Sequence, residues 1–257
     1  MLSIWGLPAF DDNYLWIVHN GKDAIAVDPG DAAVVSKALQ EHGLQLRAIL
    51  ATHKHADHTG GIARLLAQSP VPVYGSQTDQ IPGLTLPVSD GERITIPELN
   101  LTLEVIAVPG HTLGHVAYFA ASEHALFSGD TLFAGGCGRL FEGSAAQMRA
   151  SLKKLAALPA NTRVYCAHEY TLSNLRFAAA AEPDNPQVAA RLQHVQSLRA
   201  ENKPSVPSLL ADELATNPFL RSDQHGIVAT LRRECGLPEQ ADADACFAAL
   251  REWKNRF

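Results

Sequence analysis

The ten residues Thr52-His53-Lys54-His55-Ala56-Asp57-His58-Thr59-Gly60-Gly61 constrain this chain more than any others, because four metal-ligand side chains fall within six positions directly after the apolar run Ala48 to Ala51. On a helix, positions i and i+2 point apart, whereas at the end of a strand they share a side. His53 and His55 are therefore placed to bind one ion. Asp57 and His58, adjacent in a turning backbone, are placed to face a second. Further ligand types stand after apolar runs: His111 after Val108-Pro109-Gly110, Asp130 after Phe127-Ser128-Gly129, and His168 after Tyr165-Cys166-Ala167. Singly, each reads as a turn or cap residue. Beside a four-ligand motif, the three read as ligands, with Asp28 and His115 as groups that orient them.

Up to about residue 168 the chain reads as short strands closed by Gly, Pro, Asp or His: Tyr14 to Val18, Ala24 to Val27, Ala48 to Ala51, Val71 to Tyr74, Leu101 to Val108, Val116 to Phe119, Ala125 to Phe127 and Val164 to Ala167. Helical periodicity lies between some of them, at Ala33 to His42, Ile62 to Gln68 and Ala145 to Leu155. This mixture predicts an α/β (α+β) chain, two sheets covered by helices. After Glu169 the strand-like runs vanish, and Asn174 to Ala181, Pro186 to Glu201, Ser208 to Ala215 and Asp242 to Trp253 read as helices. A length of 257 residues allows one to two domains at roughly 150 residues each. The simplest division is a metal domain over 1–169 and a small C-terminal helical domain over 170–257.

Taken together, His53-x-His55-x-Asp57-His58, Gly110-His111-Thr112, Gly129-Asp130 and His168 resemble the metallo-β-lactamase superfamily. That resemblance implies an αββα sandwich with metal-binding loops along one edge. Phe133 to Gly143, His168 to Phe177 and the terminal Leu250 to Phe257 further resemble the glyoxalase II family, the hydroxyacylglutathione hydrolases, so the likeness spans nearly the whole chain. The family pattern gives His53, His55 and His111 to a first metal and Asp57, His58 and His168 to a second, with Asp130 bridging. Such ligands suit Zn²⁺, with Fe and Mn also compatible, and a shared carboxylate holds two cations at the ~3.5 to 4 Å of two-metal hydrolases. Glutathione recognition falls on Arg139, Tyr170, Arg251 and Lys254. The chain has Arg139 where relatives commonly have Lys, which keeps the charge but changes its geometry. It has Phe141 at a position where Tyr occurs among relatives, and so lacks a hydroxyl there.

The resemblance implies hydrolysis of the thioester of S-(2-hydroxyacyl)glutathione, chiefly S-D-lactoylglutathione, to glutathione and D-lactate, the second step of methylglyoxal detoxification. A metal-bridging hydroxide would attack, with Asp57, His58 and Asp130 as the catalytic residues. No Gly-x-Ser-x-Gly elbow offers a serine nucleophile instead. Rival enzymes with the same His motif are other thioesterases, lactonases, β-lactam hydrolases and a mononuclear-iron persulfide dioxygenase; Arg251 and Lys254 argue against them. A net charge of −6 without a basic run argues against a nucleic-acid or membrane partner. A structural metal module would close its coordination sphere, whereas a hydrolase leaves room for solvent. Cys137, Cys166, Cys235 and Cys246 form no C-x-x-C pair and read as reduced thiols. No stretch reaches the ~20 apolar residues of a membrane helix, and a cytoplasmic monomer is expected.

Overall fold

The computed structural model describes residues 2–257. Its first sheet runs in the order β1 (Ser3–Ala9), β2 (Asn13–His19), β3 (Asp23–Val27), β4 (Gln45–Leu50), β5 (Val73–Ser76) and β6 (Leu86–Val88). β1 to β3 pair antiparallel, and β3 to β6 pair parallel. The parallel pairs require crossovers: α1 (Ala32–Glu41) lies between β3 and β4, the short α2 (Ala56–Thr59) and α3 (Ile62–Gln68) lie between β4 and β5, and a segment without a helix joins β5 to β6. A second sheet holds β7 (Arg93–Ile96), β8 (Leu101–Ala107), β9 (Val116–Ala120) and β10 (Ala125–Gly129). After the hairpin β11 (Leu132–Phe133) and β12 (Gly136–Cys137), the chain forms α4 (Ala145–Ala156) and then β13 (Arg163–Cys166), which pairs parallel with β10.

Period-two alternation along the strands explains why the sheets stack. Trp16 and Val18 enter the core between the sheets with Ile25, Leu50, Leu103, Val105, Tyr118 and Phe127. Their neighbours Leu15 and Ile17 point the other way, onto Val35, Ile62 and Leu65 of α1 and α3. The outer face of the second sheet, with Ala117, Phe119 and Leu126, packs on Met148, Leu152 and Leu155 of α4. Each sheet is thus apolar on both faces and covered by helices, the αββα sandwich.

The C-terminal helices are α5 (Thr171–Ala181), α6 (Pro186–Ala200), α7 (Leu210–Thr216), α8 (His225–Cys235) and α9 (Ala243–Arg256). Phe177, Leu210, Ile227, Leu231, Phe247 and Leu250 join the same cluster as α4, so this region shares the core of the second sheet. It also returns a strand: β14 (Ser208–Leu209) pairs with β13, where the sequence pattern suggested helix from Ser208. No helix among the described residues is long and apolar enough to cross a membrane.

Candidate metal centre and its cavity

The ligand types gather where strands end. β4 delivers Thr52 to His58, β8 and β9 flank the loop bearing His111, Asp130 directly follows β10, and His168 lies two residues past β13. Glycine lets these loops approach: a Cβ on Gly30 would stand 1.7 Å from the Asp57 carbonyl oxygen, and one on Gly138 1.9 Å from that of Asp130. Among the described residues, His53, His55 and His111 form one group of converging donor atoms and Asp57, His58 and His168 another. A third grouping, His53, His58 and Asp130, lies between them.

Hydrogen bonds behind the imidazoles decide which nitrogens face inward. Asp28 accepts from the Thr52 amide at 2.7 Å and the Thr52 hydroxyl at 2.8 Å, which leaves that oxygen to accept from His53 Nδ1 at 3.1 Å. The Arg139 carbonyl accepts from His111 Nδ1 at 2.8 Å. Both rings therefore turn an unprotonated Nε2 inward, and burial lowers their pKa values although Asp130 pulls the other way. His53 Nε2 and His111 Nε2 stand 2.9 and 3.0 Å from His55 Nδ1. Bare lone pairs this close repel, and a cation resolves the repulsion. A tetrahedron with metal–nitrogen bonds of ~2.0–2.1 Å has edges of roughly 3.3 Å, near this spacing.

The second group has the same logic with more negative charge. His168 Nδ1 donates to Asp12 Oδ1 at 2.7 Å, and His58 Nδ1 sits 3.0 Å from Asp28 Oδ2. Their Nε2 atoms face Asp57 Oδ2 at 3.4 Å from His58 and 3.5 Å from His168. Asp130 Oδ1 stands 3.4 Å from His58 Nε2 and 3.3 Å from His168 Nε2, while Asp130 Oδ2 stands 3.4 Å from His111 Nε2. One carboxylate thus turns an oxygen to each group. Burial pulls the His58 pKa down, but Asp130 and Asp28 outweigh it and raise it well above the usual value. Asp130 Oδ1 and His58 Nε2 are buried without hydrogen-bond partners, and such orphaned atoms in a His/Asp cluster fit metal binding.

His115, four residues past His111, belongs to neither group. Its Nε2 accepts from the Asp130 amide at 3.0 Å, so it supports the loop from behind. Sequence reading missed Asp79, whose buried carboxylate accepts from Lys54 N, Thr112 Oγ1 and Gly114 N at 3.0–3.1 Å and ties two ligand loops together. It also missed Asp12 and Asn13. The Asp11-Asp12-Asn13-Tyr14 run was the available signal, but nothing local says which residues it meets.

A cavity of about 440 Å³ opens beside the metal groups, lined by His111 and Asp130 together with Arg139, Tyr170, Arg251 and Lys254. The ring of Tyr170 stacks on His168 at 4.8 Å, 3° from parallel. Arg251 is 5% exposed, donates to the Cys137 carbonyl at 2.8 Å and lies over the Phe219 ring. Lys254 Nζ lies over Phe177 and Phe257, at 5.4 and 5.7 Å. Among the described residues none of these three cations pairs with a carboxylate; the nearby ion pair is Lys54 with Glu142. Phe141, 64% exposed, sets its edge against His55 and His111 at the mouth.

A family model described as the metallo-beta-lactamase superfamily matches residues 9–168, and with the αββα fold and paired His/Asp groups it defines the class of this protein. A second, described as hydroxyacylglutathione hydrolase C-terminus, matches residues 169–257. The chain is 50% identical over 257 residues to a hydroxyacylglutathione hydrolase of Nitrosomonas europaea, covering 100% of this chain and 97% of that one. It is 53% identical over 258 residues to that of Alkalilimnicola ehrlichii, with 100% of both covered. The crystal structure of TTHA1623 in a di-iron-bound form matches with a TM-score of 0.61 and 27% identity, over 84% of this chain and 99% of that chain. The chain belongs to the hydroxyacylglutathione hydrolase family.

Proposed function

We propose that this chain hydrolyses the thioester of S-(2-hydroxyacyl)glutathione, chiefly S-D-lactoylglutathione, to glutathione and D-lactate. The observation that carries the reading is one cavity lined by two chemistries: His111 and Asp130 of the His/Asp groups, and three cations that pair with no carboxylate among the described residues. Glutathione has two carboxylates, and Arg139, Arg251 and Lys254 offer charge to match them. Tyr170 adds a hydroxyl that burial, then Asp12, holds above the usual phenol pKa, so it stays protonated and donates. In this reading residues 170–257 act as the glutathione-binding domain and 1–169 as the metal domain.

His53, His55 and His111 would hold one divalent cation, Asp57, His58 and His168 a second, and Asp130 would serve both. The di-iron form of the relative supports a pair, and the N/O donors suit zinc as well as iron or manganese. When bound, such cations lower the pKa of water toward neutrality and supply positive charge for a developing oxyanion. Asp57, its side chain 40% exposed, lines a second, open groove with His55, Ala56 and Phe141. There it orients the attacking water toward the thioester carbonyl. Attack gives a tetrahedral oxyanion, whose collapse breaks the carbon–sulfur bond and releases the glutathione thiolate and the 2-hydroxy acid. The cavity-lining Cys137 is kept as a thiol by burial and is not the nucleophile. Reduced cysteines and the absence of a basic run fit a cytoplasmic protein acting on a small molecule. Elemental analysis with activity measured before and after chelation tests this: about two metals per chain, and loss of thioester hydrolysis that the metal restores. Full turnover by metal-free protein would refute it.

A further inference from the structure

The turn between β1 and β2 reaches across the molecule to the second ligand group. Phe10, at its start, takes a positive φ of 52°, a conformation that side chains other than glycine seldom adopt. From the same turn Asp12 accepts from His168 Nδ1 through Oδ1 at 2.7 Å, and its carbonyl accepts from the Glu169 amide at 2.9 Å. Asn13 Nδ2 donates to Asp57 Oδ2 at 3.0 Å, and Asn13 forms an isolated antiparallel bridge with His168. Tyr14 then donates from its amide to the Ala167 carbonyl at 2.7 Å and from its hydroxyl to Glu169 Oε2 at 2.9 Å. The turn is thus stitched residue by residue to the end of β13.

We infer that Asp12 is a positioning residue for the second metal group: its carboxylate fixes His168 as the Nδ1–H tautomer and holds the ring so that Nε2 faces Asp57 and Asp130. This rests on the two-cation reading above and adds the element that organises one half of it. A neutral imidazole has one donor and one acceptor nitrogen, and an acceptor-only partner on Nδ1 leaves Nε2 free to ligate. The Asp12 side chain is 37% exposed, so its truncation opens no buried cavity. The first group does not share this support: its histidines lean on Thr52 and the Arg139 carbonyl.

The test is a zinc titration of the stripped full-length protein against a competing chelator, for the wild type, Asp12→Ala and Asp12→Asn. Losing an outer carboxylate behind a ligating histidine weakens metal binding by about 10–100-fold. Asp12→Ala should therefore keep one tight zinc per chain and bind the other about 10–100-fold more weakly, with little change in melting temperature. Asp12→Asn still presents an oxygen to Nδ1–H and should recover most of the loss. Turnover of Asp12→Ala should rise toward the wild-type value as zinc is added. Two unchanged zinc affinities in Asp12→Ala, an equal loss at both, or no recovery in Asp12→Asn would overturn the assignment. A wild type that takes only one zinc would fail the two-cation reading itself, and that failure is visible before any variant is made.

Discussion

Lys254→Met removes the ammonium from the cavity while keeping a long apolar stem to cover Phe177 and Phe257. Burial, with Arg251 and Arg139 beside it, lowers the Lys254 pKa, so its charged form is disfavoured in the folded protein. A lysine with a depressed folded-state pKa costs stability at neutral pH, a cost that fades as pH rises through that value. The substitution should therefore leave the free enzyme as stable as the wild type or slightly more so. Substrate binding should suffer instead. A hydrogen bond to a charged group is worth about 1.5–3 kcal/mol, or roughly ten- to over a hundredfold. An ammonium that holds a glutathione carboxylate does not touch the scissile thioester, so the loss should fall on ground and transition states alike. Steady-state kinetics with S-D-lactoylglutathione should show KM raised by about that factor and kcat within about twofold. Added salt should narrow the gap by screening the wild type. A variant with unchanged KM, or with kcat reduced and KM intact, would refute the assignment of Lys254 to substrate binding. Arg251→Ala should also raise KM, but it additionally frees a buried carbonyl and uncovers Phe219, so a lower melting temperature is expected.

Asp130→Ala should lose metal and activity together, since both donor groups face that carboxylate; elemental analysis finding both metals and normal turnover would contradict it. His111→Ala should lose one metal per chain, whereas His115→Ala should keep most of both, and equal losses by the same analysis would erase the distinction. Glu182 accepts from Arg221 Nε at 3.0 Å and Nη2 at 2.7 Å. Burial pushes its carboxyl pKa up, but Arg221 and Asn185 outweigh that and hold it below the usual value. Such a pair stabilises the fold above the unfolded-state value of about 4.3 and fades as pH falls through the lowered folded value. Thermal unfolding of Glu182→Gln should show a deficit of about 1–3 kcal/mol at neutral pH that shrinks in acid, and a deficit independent of pH would be inconsistent with the ion pair.

The ligand groups were legible because their chemistry is local: His53, His55, Asp57 and His58 sit in one loop, and His111, Asp130 and His168 each follow an apolar run. Their supports were not. Asp12 meets His168 across 156 positions and Asp79 reaches Gly114 across 35, pairings that only the strand order creates. The two-sheet pattern was readable from alternation, but its margins were not. β1 contains Gly6 and Pro8, which break a strand signal yet are tolerated on this edge strand. β6, β7 and β14 are two to four residues long, too short to show a period. α8 carries Gly226 at its start and only Ile227, Thr230 and Leu231 buried, a stripe too narrow to read without its neighbours.

The central claim is that one cavity joins metal-assisted thioester hydrolysis to glutathione recognition. The direct measurement is kcat/KM, on the metal-loaded protein, for S-D-lactoylglutathione beside a D-lactoyl thioester lacking the glutathione peptide, a lactone and a β-lactam. The account predicts rapid hydrolysis of the glutathione thioester, a loss of tenfold or more for the truncated thioester, as follows from removing at least one charge-assisted contact, and little turnover of the other two. Equal kcat/KM for both thioesters, or a preference for the lactone or β-lactam, would contradict it.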